Sequence, residues 1–339
     1  MSSSDRVAMK HGAGGRAMRA LIEDVFLPLG GPVNGVGLSA MDDGAALRVG
    51  DQWLVVTTDS HVVQPIFFPG GDIGRISICG TVNDLAMMGA TEPLGLTCAV
   101  VIEEGFPREA LERIRDAMKL ACDEAHVTIV TGDTKVMGKG EVDGIVHNTA
   151  GFALTKRIVR DNGLRPGDRI LVTGTVGDHG MAVMTRRRDL RIEGDLRSDV
   201  APVNGLIRAA LLAGGEAVVA MKDPTRGGLA SVLHEFAQKA KVGVLLDGPS
   251  VPVNPEVAAA AEMLGIDPLV VANEGKAVLG VRPEAVDRVL AALRAHPQGR
   301  RAAVVGTAVA ERPGNVILDT GLGRRLLAES DGEPLPRIC

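Results

Sequence analysis

Three short apolar runs that end on a carboxylate restrict the fold of this 339-residue chain more than any other feature. They are residues 53–59 (Trp-Leu-Val-Val-Thr-Thr-Asp), 127–133 (Val-Thr-Ile-Val-Thr-Gly-Asp) and 217–223 (Ala-Val-Val-Ala-Met-Lys-Asp). Each is brief and partly β-branched, the signature of a buried strand. Between and after them strands and helices continue to alternate. Residues 94–102, 144–154, 169–173, 242–246, 277–281 and 302–310 read as strands, and 17–27, 75–88, 108–125, 227–240 and 284–296 as helices. The chain exceeds the length at which one core stops growing, about 250–300 residues, so two domains are expected. Asn162-Gly163 and Pro166-Gly167 mark the boundary. Each half mixes several strands with two or three helices, which favours a pair of α+β domains over a doubly wound sheet. The expected division is a glycine-rich segment 1–35, a domain 36–155, a second domain 156–318 and a tail 319–339.

Composition narrows the function. Aromatic residues make up 2% of the chain and tyrosine is absent, so base stacking has little to work with. A net charge of −5 also argues against a nucleic-acid partner. The four cysteines, Cys79, Cys98, Cys122 and Cys339, show no CxxC spacing, which suggests neither a zinc site nor a disulfide framework. No secretory h-region and no run near 18 apolar residues is present, so a reducing, cytoplasmic setting without a membrane is expected.

The acids point to a metal. Asp42, Asp43, Asp59, Asp84, Asp133 and Asp223 collect at strand ends or in neighbouring turns and helices, where ligands often bind; any one alone also serves as a cap or turn. Together they repel unless cations sit among them, and hard oxygen ligands suit Mg²⁺ with substrate phosphates. ATP with Mg²⁺ is the reading that follows. Gly12, Gly14 and Gly15, just before a helix, leave backbone N–H groups open to a phosphate. Thr131-Gly-Asp-Thr-Lys135 adds an amine, and Asn273-Glu-Gly-Lys276 adds an acid from the other half. Lys135 and Glu274 are therefore candidates for proton transfer, with structural ion pairing as the alternative.

The last residues, Pro334-Leu-Pro-Arg-Ile-Cys339, form an arm. Two prolines favour extended backbone, and residues 330–339 can reach on the order of 30 Å. A prenylation box would need cysteine where Pro336 stands. A terminal thiol on such a tail can enter a narrow site.

Read in order, His11-Gly-Ala-Gly-Gly15, Thr57-Thr-Asp-Ser60, Phe67-Phe-Pro-Gly-Gly71, Ile78-Cys-Gly-Thr-Val-Asn-Asp84, Thr131-Gly-Asp-Thr-Lys135, Asn148-Thr-Ala-Gly151, Gly177-Asp-His-Gly180, Thr225-Arg-Gly-Gly228, Ala272-Asn-Glu-Gly-Lys276 and the Pro-Arg-Ile-Cys339 end closely resemble the HypE family of hydrogenase maturation proteins. That family is related to aminoimidazole ribonucleotide synthetase and selenophosphate synthetase. The motifs cover nearly the whole chain, although 1–8 and 187–200 match nothing usable. The resemblance implies a homodimer of two-domain subunits whose N-terminal domains form a β-barrel-like centre, with a flexible tail. It implies nucleotide contacts at Gly14, Gly15, Asn83, Thr134, Asn148 and Arg226, and metal contacts among the six aspartates. It also implies a reaction: the carbamoyltransferase HypF loads a carbamoyl group on Cys339, ATP drives its dehydration to a thiocyanate, and the cyano group passes to iron on a HypC/HypD scaffold. Selenophosphate synthetase is the nearest rival, but it calls for a reactive cysteine near the glycine loop and none precedes Cys79. A non-catalytic thiol carrier is the other.

Overall fold

The computed structural model describes residues 6–12, 14–190, 192–329 and 338–339, and each half of the chain folds around one sheet. In the first half the elements are α1 (Gly15–Leu21), β1 (Gly35–Val36), β2 (Ala45–Val49), β3 (Gln52–His61), the β4–β5 ribbon (Phe67–Phe68, Gly71–Asp72), α2 (Ile73–Met87), β6 (Pro93–Glu103), α3 (Arg108–Ala125), β7 (Ile129–Met137) and β8 (Ile145–Thr155). The sheet order is β1-β2-β3-β8-β6-β7. Its backbone is the long antiparallel pairing of β3 with β8, from Trp53 opposite Thr155 to His61 opposite His147. Only β6 and β7 run parallel, because α3 carries the chain across between them.

One face of this sheet is covered by α2, nearly all of whose residues are buried. Asp72 caps that helix by accepting the Arg75 N–H at 3.0 Å. The helix α3 then turns Ile114, Ala121, Cys122 and Ala125 inward and ends on His126 in the left-handed region. The opposite face is open. Along β8 the odd residues from Ile145 to Ala153 are buried while Val146, Asn148, Ala150 and Phe152 are half-exposed, as period-two alternation requires.

The second half contains β9 (Arg169–Val172), α4 (Asp178–Arg187), α5 (Asn204–Gly214), β10 (Val218–Lys222), α6 (Gly228–Ala240), β11 (Gly243–Asp247), α7 (Pro255–Leu264), β12 (Val278–Val281), α8 (Val286–Ala295), β13 (Ala303–Val309), β14 (Val316–Asp319) and β15 (Arg324–Leu327). Its order is β10-β12-β9-β13-β11-β14-β15. Leu229, Leu233 and Phe236 of α6 pack one core with Val244 and Val305, while α5 and α8 build another with Leu171 and Leu279.

Several expectations change. Asp59 and Asp133 lie inside β3 and β7 rather than at their ends, and only Asp223 follows its strand directly. The helix expected over 17–27 stops at Leu21 and continues as a π-type turn, Ile22–Phe26. Residues 324–327, expected in the tail, pair with β14. Within one chain the first sheet is open, with β1 and β7 as its edges, so no closed barrel forms here.

The two halves meet through a buried set of charges. Lys222 binds Asp43 and stands 3.3 Å from Glu235. Lys239 contacts Asp161 at 2.5 Å and Asp42 at 3.4 Å, and Arg160 holds Asp42 at 2.8 Å. Burial, then a hydrogen bond with Asp42, pushes the Asp161 carboxyl up to about 8, so these two acids share a proton at neutral pH. The native state binds that proton more tightly than the unfolded chain. Its stabilising effect is complete below the ordinary aspartate range and is lost as pH rises through about 8. Asp161→Asn keeps a donor for Asp42. Urea unfolding should therefore show the variant gaining about 4 kcal/mol on wild type between pH 5 and pH 8; parallel pH profiles would contradict the shared proton.

Candidate active site

Thr57, Asp59 and His61 alternate along β3 onto the face that meets α2. Gly80 of α2 makes this approach possible, since a Cβ there would stand 3.0 Å from His61 Cε1 and 3.3 Å from Asp59 Oδ2. On the same helix the Asp84 carboxylate accepts from Thr57 Oγ1 at 2.9 Å. From the second half, Asp223 follows β10 and Glu274 lies in the turn before β12. The acids crowd together. Desolvation, then the charges of Asp223, Asp59 and Asp43, pushes Asp84 well up. Asp223 rises to about 8 from burial and then Asp43. Glu274 is also pushed well up, first by burial and next by Asp223, Asp59 and Asp199. Its Oε1 has no hydrogen-bond partner although it is buried.

Arg226 is the cation among them. The negative charge at Cys339 is the first cause of its raised pKa; burial opposes this, and Asp59, Glu274 and Asp84 add to it. Gly14, at φ 79°, closes onto this residue, and a Cβ at Gly14 would lie 2.9 Å from Arg226 Cβ. The predicted glycine loop therefore covers the arginine. Its backbone is strained for any other residue type.

The chain end reaches this cleft. Ile338 is 1% exposed, and Val62 N–H donates to the Cys339 main-chain oxygen at 3.3 Å. The prolines at 334 and 336 lie outside the described residues. Burial pushes the Cys79, Cys98 and Cys122 thiols up, Cys122 to about 11, which leaves them poor nucleophiles. The half-buried Cys339 is the remaining one.

Other predicted residues sit elsewhere. Asp42 faces Arg160 and Lys239, so it is an ion-pair partner within the fold. Asp133, Thr134 and Lys135 lie on the exposed edge strand β7, where Lys135 Nζ is 3.2 Å from Asp133 Oδ2 and both side chains are more than half exposed. By register Asp133 and Lys135 project with Ala99, Val101 and Asn148 onto the open face of the sheet, away from Asp59 and Glu274. Asn148 ties β8 to β3 there, donating to Asp59 O at 3.0 Å and Ser60 Oγ at 2.9 Å. Asn83 is occupied by main chain: it donates to Ala201 O and Glu274 O at 3.1 and 3.2 Å and accepts from Val203 N–H at 2.8 Å. It joins the halves of the chain instead of facing the cleft.

The motifs also missed residues. Asp199 accepts from Asn273 Nδ2 at 2.9 Å, from the Glu274 and Gly275 N–H groups, and from Lys276 Nζ at 3.0 Å. It thereby shapes the turn that carries Glu274. Nothing local in 187–200 signals this, because every partner is distant in sequence.

Residues 41–155 match the N-terminal domain of AIR synthase related proteins and residues 165–319 the C-terminal domain. The carbamoyl dehydratase HypE of Rhizobium leguminosarum bv. viciae is 46% identical over 99% of this chain and 96% of its own. The crystal structure of a HypE–HypF complex superposes with a TM-score of 0.85 at 42% identity, covering 92% of this chain and all of that one. HypE in complex with ATP gives 0.82 at 40%, over 98% and 100%. The chain belongs to the HypE family. No described helix is long and apolar enough to cross a membrane.

The position of Asn83 separates two roles. Asn83→Ala should cost about 2 kcal/mol in urea unfolding, since it orphans buried main-chain groups. ATP affinity of the folded fraction, measured by calorimetry, should stay within about threefold; a much larger loss would make Asn83 a nucleotide ligand.

Proposed function

We propose that this chain is an ATP-dependent carbamoyl dehydratase that converts a carbamoyl group on Cys339 to a thiocyanate, the source of cyanide ligands for the iron of nickel–iron hydrogenase. The observation that carries this reading is the chain end entering the cleft, with Val62 N–H donating to the Cys339 main-chain oxygen at 3.3 Å and the charge at Cys339 acting first on Arg226 among Asp59, Glu274 and Asp84.

The chemistry balances as two proton losses and one oxygen loss. The carboxamide oxygen attacks the γ-phosphorus of ATP, one N–H proton leaves, and an O-phosphorylated intermediate and ADP result. Removal of the second N–H proton expels phosphate and forms C≡N on sulfur. Arg226 orients and offsets negative charge at the reacting end. Glu274, kept from ready ionisation by burial and then by the neighbouring acids, is the group placed to exchange protons with the reacting nitrogen.

Among the described residues no three His, Cys, Asp or Glu side chains can hold an ion unaided. Asp43, Asp84 and Asp223, each pushed up by burial and by one another or by Asp59 and Glu235, fit an ion that arrives with phosphate oxygens, as Mg²⁺ commonly does. Bound there, Mg²⁺ supplies charge neutralisation at the transferred phosphoryl group. HypF is the loading partner and a HypC/HypD scaffold the acceptor, in the cytoplasm.

The open sheet face gives a reason for a homodimer. Half-exposed Val101, Val146, Ala150 and Phe152 sit beside the unpaired β7 edge, a surface that folded proteins usually cover. A second copy there would close a barrel-like centre and let Lys135, with Asn148, act across the subunit boundary. Phe152→Glu should shift the chain to monomer in light scattering and slow dehydration at least about tenfold; a dimer that persists would place the contact elsewhere.

With HypF, carbamoyl phosphate and ATP, mass spectrometry should find a carbamoyl adduct at Cys339 that then loses one water. Glu274→Gln should stall at the adduct. An adduct that survives Cys339→Ala refutes the assignment, and an adduct that never dehydrates leaves a carrier in place of an enzyme.

A further inference from the structure

The residue before the carrier cysteine is held more tightly than the cysteine itself. Ile338 is 1% exposed and packs in the apolar cluster that contains Val63, Phe68, Met181, Val200 and Ala272. Its carbonyl oxygen lies 2.6 Å from His179 Nε2. His179 is fully buried in the first turn of α4, with its ring edge-on to Phe68 at 5.3 Å and 88°.

The hydrogen bonds fix the state of that ring. Ser198 Oγ accepts from Val200 N–H at 3.1 Å and lies 2.8 Å from His179 Nδ1. The Ile338 carbonyl has no proton to give, so Nε2 carries the imidazole hydrogen and, in the neutral ring, Nδ1 accepts from the Ser198 hydroxyl. His179 therefore donates to that carbonyl. The contact is matched without a charge on the ring.

We propose that His179 is a positioning residue that locks Ile338 in the cleft and so sets where the Cys339 sulfur can react. This inference rests on the carbamoyl dehydratase reading. The lock joins both halves of the chain, since His179 belongs to α4, Val62 follows β3 and Phe68 lies in β4. A group carried on the next side chain is then fixed by the carbonyl and the side chain of Ile338 together, the restriction of motion that a reaction between two held groups requires.

The test is the rate at which iodoacetamide alkylates Cys339 in the full chain, read by mass spectrometry, with buried Cys79, Cys98 and Cys122 as internal controls. His179→Phe keeps the ring against Phe68 and removes the donor, so alkylation should rise about fivefold to tenfold, the effect of one buried hydrogen bond. Ile338→Ala should raise it by about tenfold or more. His179→Gln, which can still donate, should return the rate to within about threefold of wild type. Carbamoylation by HypF should still go to completion in all three, no slower than in wild type, and ATP affinity should be preserved, while the water-loss step slows in the Phe and Ala variants. Unchanged alkylation in either natively melting variant overturns the lock. Absence of any carbamoyl adduct would instead overturn the dehydratase reading and leave the alkylation result standing.

Discussion

The organising constraint of this molecule is the repulsion among carboxylates collected in one cleft. Asp43, Asp84, Asp223 and Glu274 crowd around Asp59 in a site where burial already disfavours their charge. Lys222 and Arg226 offset part of it. The remainder has two outlets: protons bound near neutral pH, or a cation brought in with a phosphate chain. Such a site is poised for an anionic substrate only when a metal accompanies it, which is how nucleoside triphosphates travel.

The rest of the architecture holds this crowd in place. The charge set around Lys222, Lys239 and Arg160 and the Asn83 amide fasten the second half of the chain to the first. Asp199 grips the turn bearing Glu274 through main-chain and side-chain bonds. Each of these buried polar groups is costly alone and stabilising only as part of its network. Small residues then let the elements close: Gly80 admits Asp59 and His61 beside α2, and Gly14 admits the N-terminal loop onto Arg226.

The sequence made most of the elements legible because their periodicities are local. Residues 108–125 form α3 as expected, and the principal strands and helices fall within a few residues of their expected spans. Outside the expected elements lie β1, β2, the β4–β5 ribbon, β14, β15, α5 and α7, the two-residue strands because they leave no period to read. Of the site, Asp43, Asp59, Asp84, Asp223, Arg226, Glu274 and Cys339 do converge. Asp42 and Asn83 had the right chemistry in the right neighbourhood, but only tertiary contacts could reveal that their polar atoms are taken up by Arg160, Lys239 and main chain. Asp133 and Lys135 sit in a motif that reads as part of the same centre, yet strand parity sends them to the open face. A period of two is readable from a sequence; which side of the sheet the helices take is not.

That parity has a chemical consequence. A single chain supplies the acid Glu274, the cation Arg226 and the carrier Cys339 at the cleft, while the ammonium of Lys135 stands beyond the sheet. Dehydration removes two protons from one nitrogen in succession, and Glu274 can hold only one until it is relieved. If a second copy covers the open face, the amine and the acid approach the reaction from different subunits. The second proton then has a destination that one chain alone does not offer. Burying the apolar side chains of β6 and β8 and completing the proton path would, on this view, be a single event. The exposed edge strand is the feature that links them.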